Sequence, residues 1–236
     1  MAHLAITKAS ATVCRNIASL VSLFHLNGLS NPANSPEVEL AIKRMHRQKG
    51  RHQQQAAPLT RDLLDQLLAV CTDDVVGTRD RVMLLLGYET MRRRSELCTF
   101  YYEDLEALPR GRFGLRLRFS KTDQSGVGRL IPISNELVST IKDWSIVCGG
   151  RGKILRGLYR GNKLRHGMSP SSINIRLKYL QDKAGLAGGA LSGHSFRVGA
   201  AVDLLDRGES LEKIMLRGGW KSENSAIRYL RARQGL

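Results

Sequence analysis

No apolar run in this chain approaches the roughly 20 residues needed to span a bilayer; VMLLLGY is typical of the longest. No secretory signal opens the sequence, so membrane insertion and export are not expected. Cysteine is sparse. Cys14, Cys71, Cys98 and Cys148 stand too far apart for a zinc knuckle or a CxxC redox pair, and read as reduced, mostly buried thiols of a cytoplasmic protein. Acidic residues are in deficit, 21 against 37 Lys and Arg, for a formal net charge of +16. That excess exceeds what solubility requires and implies a polyanionic partner, nucleic acid before an anionic membrane. No internal repeat is present, and no carboxylate cluster offers itself to magnesium or another metal.

What is there is enough apolar material, 42% of 236 residues, for one large domain or one domain with a smaller piece. From Ala9 to Phe24 the residues Val13, Ile17, Leu20 and Phe24 recur at helical spacing, with Gly28 near the stop. A second helix is expected from Ser35 as N-cap and Pro36 at the first helical position, with Val38, Ile42 and Met45 on one face. Periodicity then lapses, which places a linker over residues 48–58 between a helical segment, 1–47, and a larger domain, 59–236. Two further helices are expected to be capped near Thr60 and Thr78.

The period then changes. In RFGLRLRF, Phe113, Leu115, Leu117 and Phe119 alternate with Arg112, Gly114, Arg116 and Arg118, the pattern of a half-buried strand with one apolar and one basic face. KTDQSGVG supplies turn residues and RLIPIS a returning strand, so Lys121 falls on a hairpin. The remainder is helical in pattern. Four features stand out: TMRRRSEL, the hairpin lysine, LSGHSFRVGAA, and RGGWKSENSAIRYLR. Each alone has an ordinary reading: an arginine run is a solvated face, a histidine and an arginine three apart open a capped helix, and a tryptophan after two glycines plugs a gap.

Taken together, their order and spacing resemble the tyrosine recombinase (lambda-integrase-like) family. Its pattern is an arginine followed three residues later by an acid, a hairpin lysine, His-x-x-Arg, a histidine or tryptophan, and a tyrosine nine residues on. Arg93 and Glu96, Lys121, His194 and Arg197, Trp220, and Tyr229 match it in that order. The resemblance implies a mainly α fold with a small antiparallel β-sheet, a catalytic domain over 59–236, and a partial core-binding segment over 1–47.

It also implies a site-specific DNA recombinase that forms a 3′-phosphotyrosyl intermediate and a Holliday junction, as a homotetramer on inverted-repeat DNA. The task would be integration, excision, inversion or multimer resolution. In that chemistry Tyr229 is the nucleophile, and Arg93 and Arg197 fork the phosphoryl oxygens. Lys121 is the general acid, His194 an acid/base helper, Trp220 a phosphate support, and Glu96 a residue holding an arginine or histidine in place. No metal or cofactor is implied.

Arg92 and Arg94 read as backbone-phosphate contacts or solvated charge. Arg112, Arg116, Arg118 and Arg129 read as a phosphate-tracking surface. The resemblance makes Ser171, Ser172, Asn174, Arg176 and Lys178 candidates for base reading in the major groove. Two departures from the family pattern are visible: residues 1–58 are short for a DNA clamp, and only LRARQGL follows Tyr229, a short tail for exchange between subunits. A non-catalytic DNA-binding relative and a type IB topoisomerase remain alternatives.

Overall fold

In a computed structural model that describes residues 6–50, 56–119 and 128–230, the N-terminal stretch forms two helices, α1 (Ser10–Leu26) and α2 (Pro36–Lys49). Ser35 caps α2, its hydroxyl accepting from the Val38 N–H at 3.3 Å, with Pro36 at the first helical position. The helix continues to Lys49, past the expected start of the linker at residue 48, because nothing interrupts it before Gly50. These helices belong to a unit spanning Met1–Gln55. Among its described residues Val13 and Met45 are the buried apolar ones, whereas Leu20, Leu23, Leu26, Leu29 and Leu40 are exposed. The apolar stripe expected along α1 is thus covered at its start and bare at Leu20, since two helices bury only the strip between them.

The second unit spans Ala56–Leu236. Leu59 is fully buried and its N–H donates to the Ser195 carbonyl at 3.0 Å. Helix α3 (Arg61–Ala69) follows Thr60, and α4 (Val75–Thr90) begins on Asp74 rather than near Thr78. The reason is a stronger cap: the Asp74 carboxylate accepts from Gly77 N–H at 2.8 Å, leaving Thr78 inside the first turn with its hydroxyl on the Asp74 carbonyl. Helix α4 runs through the core, burying Val82 to Leu86. Gly87 is required there, because a Cβ would sit 2.6 Å from the Phe196 ring of the crossing helix α8 (Ser195–Asp206).

After the short helix α5 (Arg94–Leu97) come β1 (Leu105–Leu108), β2 (Arg112–Leu117) and β3 (Arg129–Ile133). They form an antiparallel sheet in the order β1-β2-β3, with Leu115 opposite Leu105 on one side and Ile131 on the other. Leu115, Leu117, Ile131 and Ile133 are buried. Phe119, expected in the same apolar row, is 63% exposed; pairing stops at Leu117–Arg129, so the pleat that would turn it inward has ended. Helices α6 (Asn135–Cys148), α7 (Pro170–Lys183), α8, α9 (Leu211–Gly218) and α10 (Glu223–Leu230) complete the unit. Cys71, Cys98 and Cys148 are buried free thiols and Cys14 is half-buried. Among the described residues, no helix is long and apolar enough to cross a membrane.

Candidate active site

Helix α4 ends at Met91, whose left-handed backbone (φ 52°) turns the chain sharply before the three arginines. They consequently point to three environments: Arg92 is buried, Arg93 half-buried and Arg94 exposed. Arg93 stands at the start of α5, and buried Glu96 holds it from one turn on, accepting from its N–H at 3.1 Å and from Nη1 at 2.8 Å. Burial opposes ionisation of Glu96, but the two bonds from Arg93 and the charges of Arg93 and Arg92 prevail and keep its pKa below the usual carboxylate value.

The first turn of α8 brings His194 and Arg197 to the same place. A serine latch forms that turn, Ser192 N–H donating to the Ser195 hydroxyl and Ser195 N–H to the Ser192 carbonyl. Asn174 on α7 pins it from outside by accepting from Gly193 N–H at 2.9 Å. Arg197 is 1% exposed and donates from Nη1 to the Met91 carbonyl at 2.8 Å. Its guanidinium carbon lies 4.9 Å from the Trp220 ring and 5.9 Å from the Tyr229 ring. Burial and the charge of Arg93 lower its pKa.

His194 Nε2 meets the Tyr229 hydroxyl at 2.6 Å. His194 is exposed, yet the atoms packed around its ring desolvate it in part. Together with the charges of Arg197, Arg93 and Arg94, this holds it below the ordinary imidazole pKa. The neutral ring therefore predominates at neutral pH, with a lone pair available to the tyrosine proton. The Trp220 ring lies 5.0 Å from that of Tyr229. Two buried donors in this cluster, Arg197 Nε and Trp220 Nε1, have no hydrogen-bond partner among the described residues. Buried donors are seldom left so, and here they suit the oxygens of a bound anion. A cleft of about 280 Å³ opens beside Arg93 and His194, lined also by Arg94, Ser95, Asn174, Ser192 and Gly193. Lys121 lies outside the described residues.

Several residues expected on DNA are engaged within the protein. Arg92, read as a phosphate contact or solvated charge, is 3% exposed and bonded to the carbonyls of Thr90 and Arg217, because the turn at Met91 directs it inward. Arg116 is bonded to Glu106, and Arg118 to Asp104 at 2.5 Å. Arg112 bonds the Pro109 carbonyl, and burial lowers the pKa of half-buried Arg129. On α7, Arg176 is drawn to buried Asp80, which also pairs with Arg79, while Asn174 holds the turn before His194. Ser172 is half-buried, and Ser171 and Lys178 are exposed on this helix beside Ile175 and Tyr179.

A feature missed in the sequence lies just before α7. The chain from Arg151 to Met168 folds into a loop closed by pairing of Leu158 with Leu164 and anchored by Met168 N–H on the Leu155 carbonyl. Arg151, Arg160, Lys163 and Arg165 are exposed on it, and Arg165 stacks over the Tyr159 ring at 4.1 Å. The signal was available: no acidic residue occurs between Asp143 and Asp182, while eight Lys and Arg do.

Residues 57–235 match the phage integrase family. The chain is 32% identical over 233 residues to the integrase/recombinase xerD homolog of Selenomonas ruminantium, covering 93% of this chain and 67% of the relative. It is 27% identical over 243 residues to recombinase cre of Escherichia phage P1, covering 94% and 71%. In fold it is similar to XerH site-specific recombinase, solved bound to a palindromic difH substrate as a post-cleavage complex. That likeness has a TM-score of 0.60 at 16% identity, covering 93% of this chain and 68% of XerH.

Proposed function

The chain belongs to the phage integrase family and is a tyrosine recombinase, and from that premise we propose that Tyr229 is the nucleophile with which it cuts and rejoins DNA. The observation that carries this assignment is the 2.6 Å bond from the Tyr229 hydroxyl to His194 Nε2, beside the unpartnered donors of Arg197 and Trp220. A scissile phosphate seated there accepts from Arg93, Arg197 and Trp220. Tyr229 Oη attacks phosphorus and its proton passes to neutral His194. The bond from phosphorus to the 5′ oxygen breaks, and that oxygen takes its electron pair and a proton from Lys121, the role carried over from the family pattern. The arginine forks hold the charge that builds on the non-bridging oxygens. Religation runs the same steps in reverse from the 3′-phosphotyrosyl bond.

The partner is double-stranded DNA carrying inverted repeats, a reading supported by the palindromic site on which XerH was solved and by the net charge of +16. Four copies act on two such sites through a Holliday junction, in the compartment that holds the DNA. Residues 1–47 serve as a partial core-binding segment. Arg94, Ser171 and Lys178 contact DNA directly, and the loop from Arg151 to Arg165 follows its phosphates, while Asn174 supports the His194 turn.

The test is a nicked suicide duplex built from inverted repeats flanking the coding region. The protein is expected to become trapped as a covalent adduct, visible as a shifted band under denaturing conditions, and Tyr229→Phe is expected to abolish it. An adduct that survives the substitution moves the nucleophile elsewhere.

A further inference from the structure

We infer that Arg92 is a positioning residue for the recombinase reaction, a strut that ties the turn bearing Arg93 to the segment bearing Trp220 and Tyr229. This rests on the recombinase reading. Arg92 is 3% exposed and forms no ion pair among the described residues; its Nε donates to the Thr90 carbonyl at 2.7 Å and its Nη2 to the Arg217 carbonyl. Both acceptors belong to helix ends, Thr90 closing α4 and Arg217 lying in the last turn of α9. Carbonyls there have no partner within their own helix and carry the negative end of its dipole. One planar guanidinium therefore satisfies two helix termini that the sequence separates by more than a hundred residues.

The residues downstream of each terminus give the strut its purpose. Arg93 comes directly after Arg92. After Arg217 the chain passes through Gly218 and Gly219 to Trp220 and then into α10 with Tyr229. Gly219 is adapted to this contact, since its backbone is left-handed (φ +70°) and a Cβ on it would lie 2.7 Å from Arg92 Nη1. The location is costly for a cation: burial and the neighbouring charge of Arg197 push the Arg92 pKa down to about 9. A residue that served DNA affinity alone has no reason to be in that place, since it cannot reach a phosphate without leaving it.

Labelling with 5-fluorotryptophan gives two resonances, because the chain has two tryptophans. Trp144 is fully buried, with its indole N–H on the Ile154 carbonyl, and reports the fold; Trp220 reports the site. In Arg92→Met, without DNA, the Trp220 signal is expected to shift or broaden while the Trp144 signal stays. With saturating suicide duplex, adduct formation is expected to slow on the order of 100-fold, the penalty of a reacting group misplaced by about 1 Å, with DNA affinity and its salt dependence unchanged. Arg92→Lys keeps a cation but not the fork, and is expected to fall near the Met variant.

An unmoved Trp220 signal with weaker, less salt-dependent DNA binding overturns the inference and returns Arg92 to the phosphate-binding surface. Collapse of both resonances in both variants makes it a residue of the fold, which also overturns it. Absence of an adduct with the unsubstituted protein would count against the recombinase reading, and the DNA-free spectra would still decide the strut.

Discussion

Strand β2 and the stretch from Arg151 to Lys178 are both rich in arginine and lysine, yet the fold leaves their charge in opposite states. On β2 and just beyond it, Arg116 is bonded to Glu106 and Arg118 to Asp104. In the later stretch, among the described residues, only Arg176 meets a carboxylate, that of Asp80 on α4, while Arg151, Arg160, Lys163, Arg165 and Lys178 are exposed. A basic face written in sequence is therefore not the same as charge available to a phosphate. The neighbouring element decides, and for β2 the carboxylates come from β1 and the turn before it.

The largest effect expected from this contrast is on DNA binding. Replacing Arg160, Lys163 and Arg165 together by Ala should flatten the slope of log affinity against log salt by about 2.7, at roughly 0.9 for each phosphate no longer neutralised. Affinity at low salt should fall on the order of 100-fold. A salt titration by fluorescence anisotropy on a duplex of random sequence reads both. An unchanged slope would remove the loop from the DNA and leave the contrast without functional meaning.

The parts of the site that were legible in sequence are those fixed by short spacings on one element. His194 and Arg197 lie one turn apart at the head of α8, and Arg93 and Glu96 one turn apart at α5. Their partnership needs only helical geometry. The inward path of Arg92 was hidden because it depends on a left-handed Met91 and on the carbonyl of Arg217, 125 residues away. Strand β1 was hidden for another reason: LEAL is too short to show a period, and its register against β2 is a tertiary fact. The β2–β3 hairpin and the helices that line the site were readable, but which charges cancel was not.

Asp104 tests whether the strand's carboxylates serve the fold. It is 2% exposed and accepts from the Tyr101 N–H at 2.8 Å as well as from Arg118. Asp104→Ala leaves that N–H without its acceptor and should destabilise the protein by about 1–3 kcal/mol in urea unfolding. DNA affinity measured well below the unfolding midpoint should not rise. Tighter binding on release of Arg118 would mean that Asp104 screens a phosphate site.

The smallest effect is expected at Glu106, and it is the most direct challenge to the contrast. Glu106→Gln leaves Arg116 with a neutral partner and changes nothing buried, so the thermal midpoint should stay where it is. If Arg116 is turned away from DNA, affinity should also hold, with the salt slope unaltered. If the carboxylate instead occupies the place of a phosphate, the variant should bind more tightly and its slope should steepen by about 0.9, the mark of one more phosphate neutralised. Such a result would make β2 a second tracking surface held in reserve by its own neighbouring strand, and the acid-free loop would no longer stand alone.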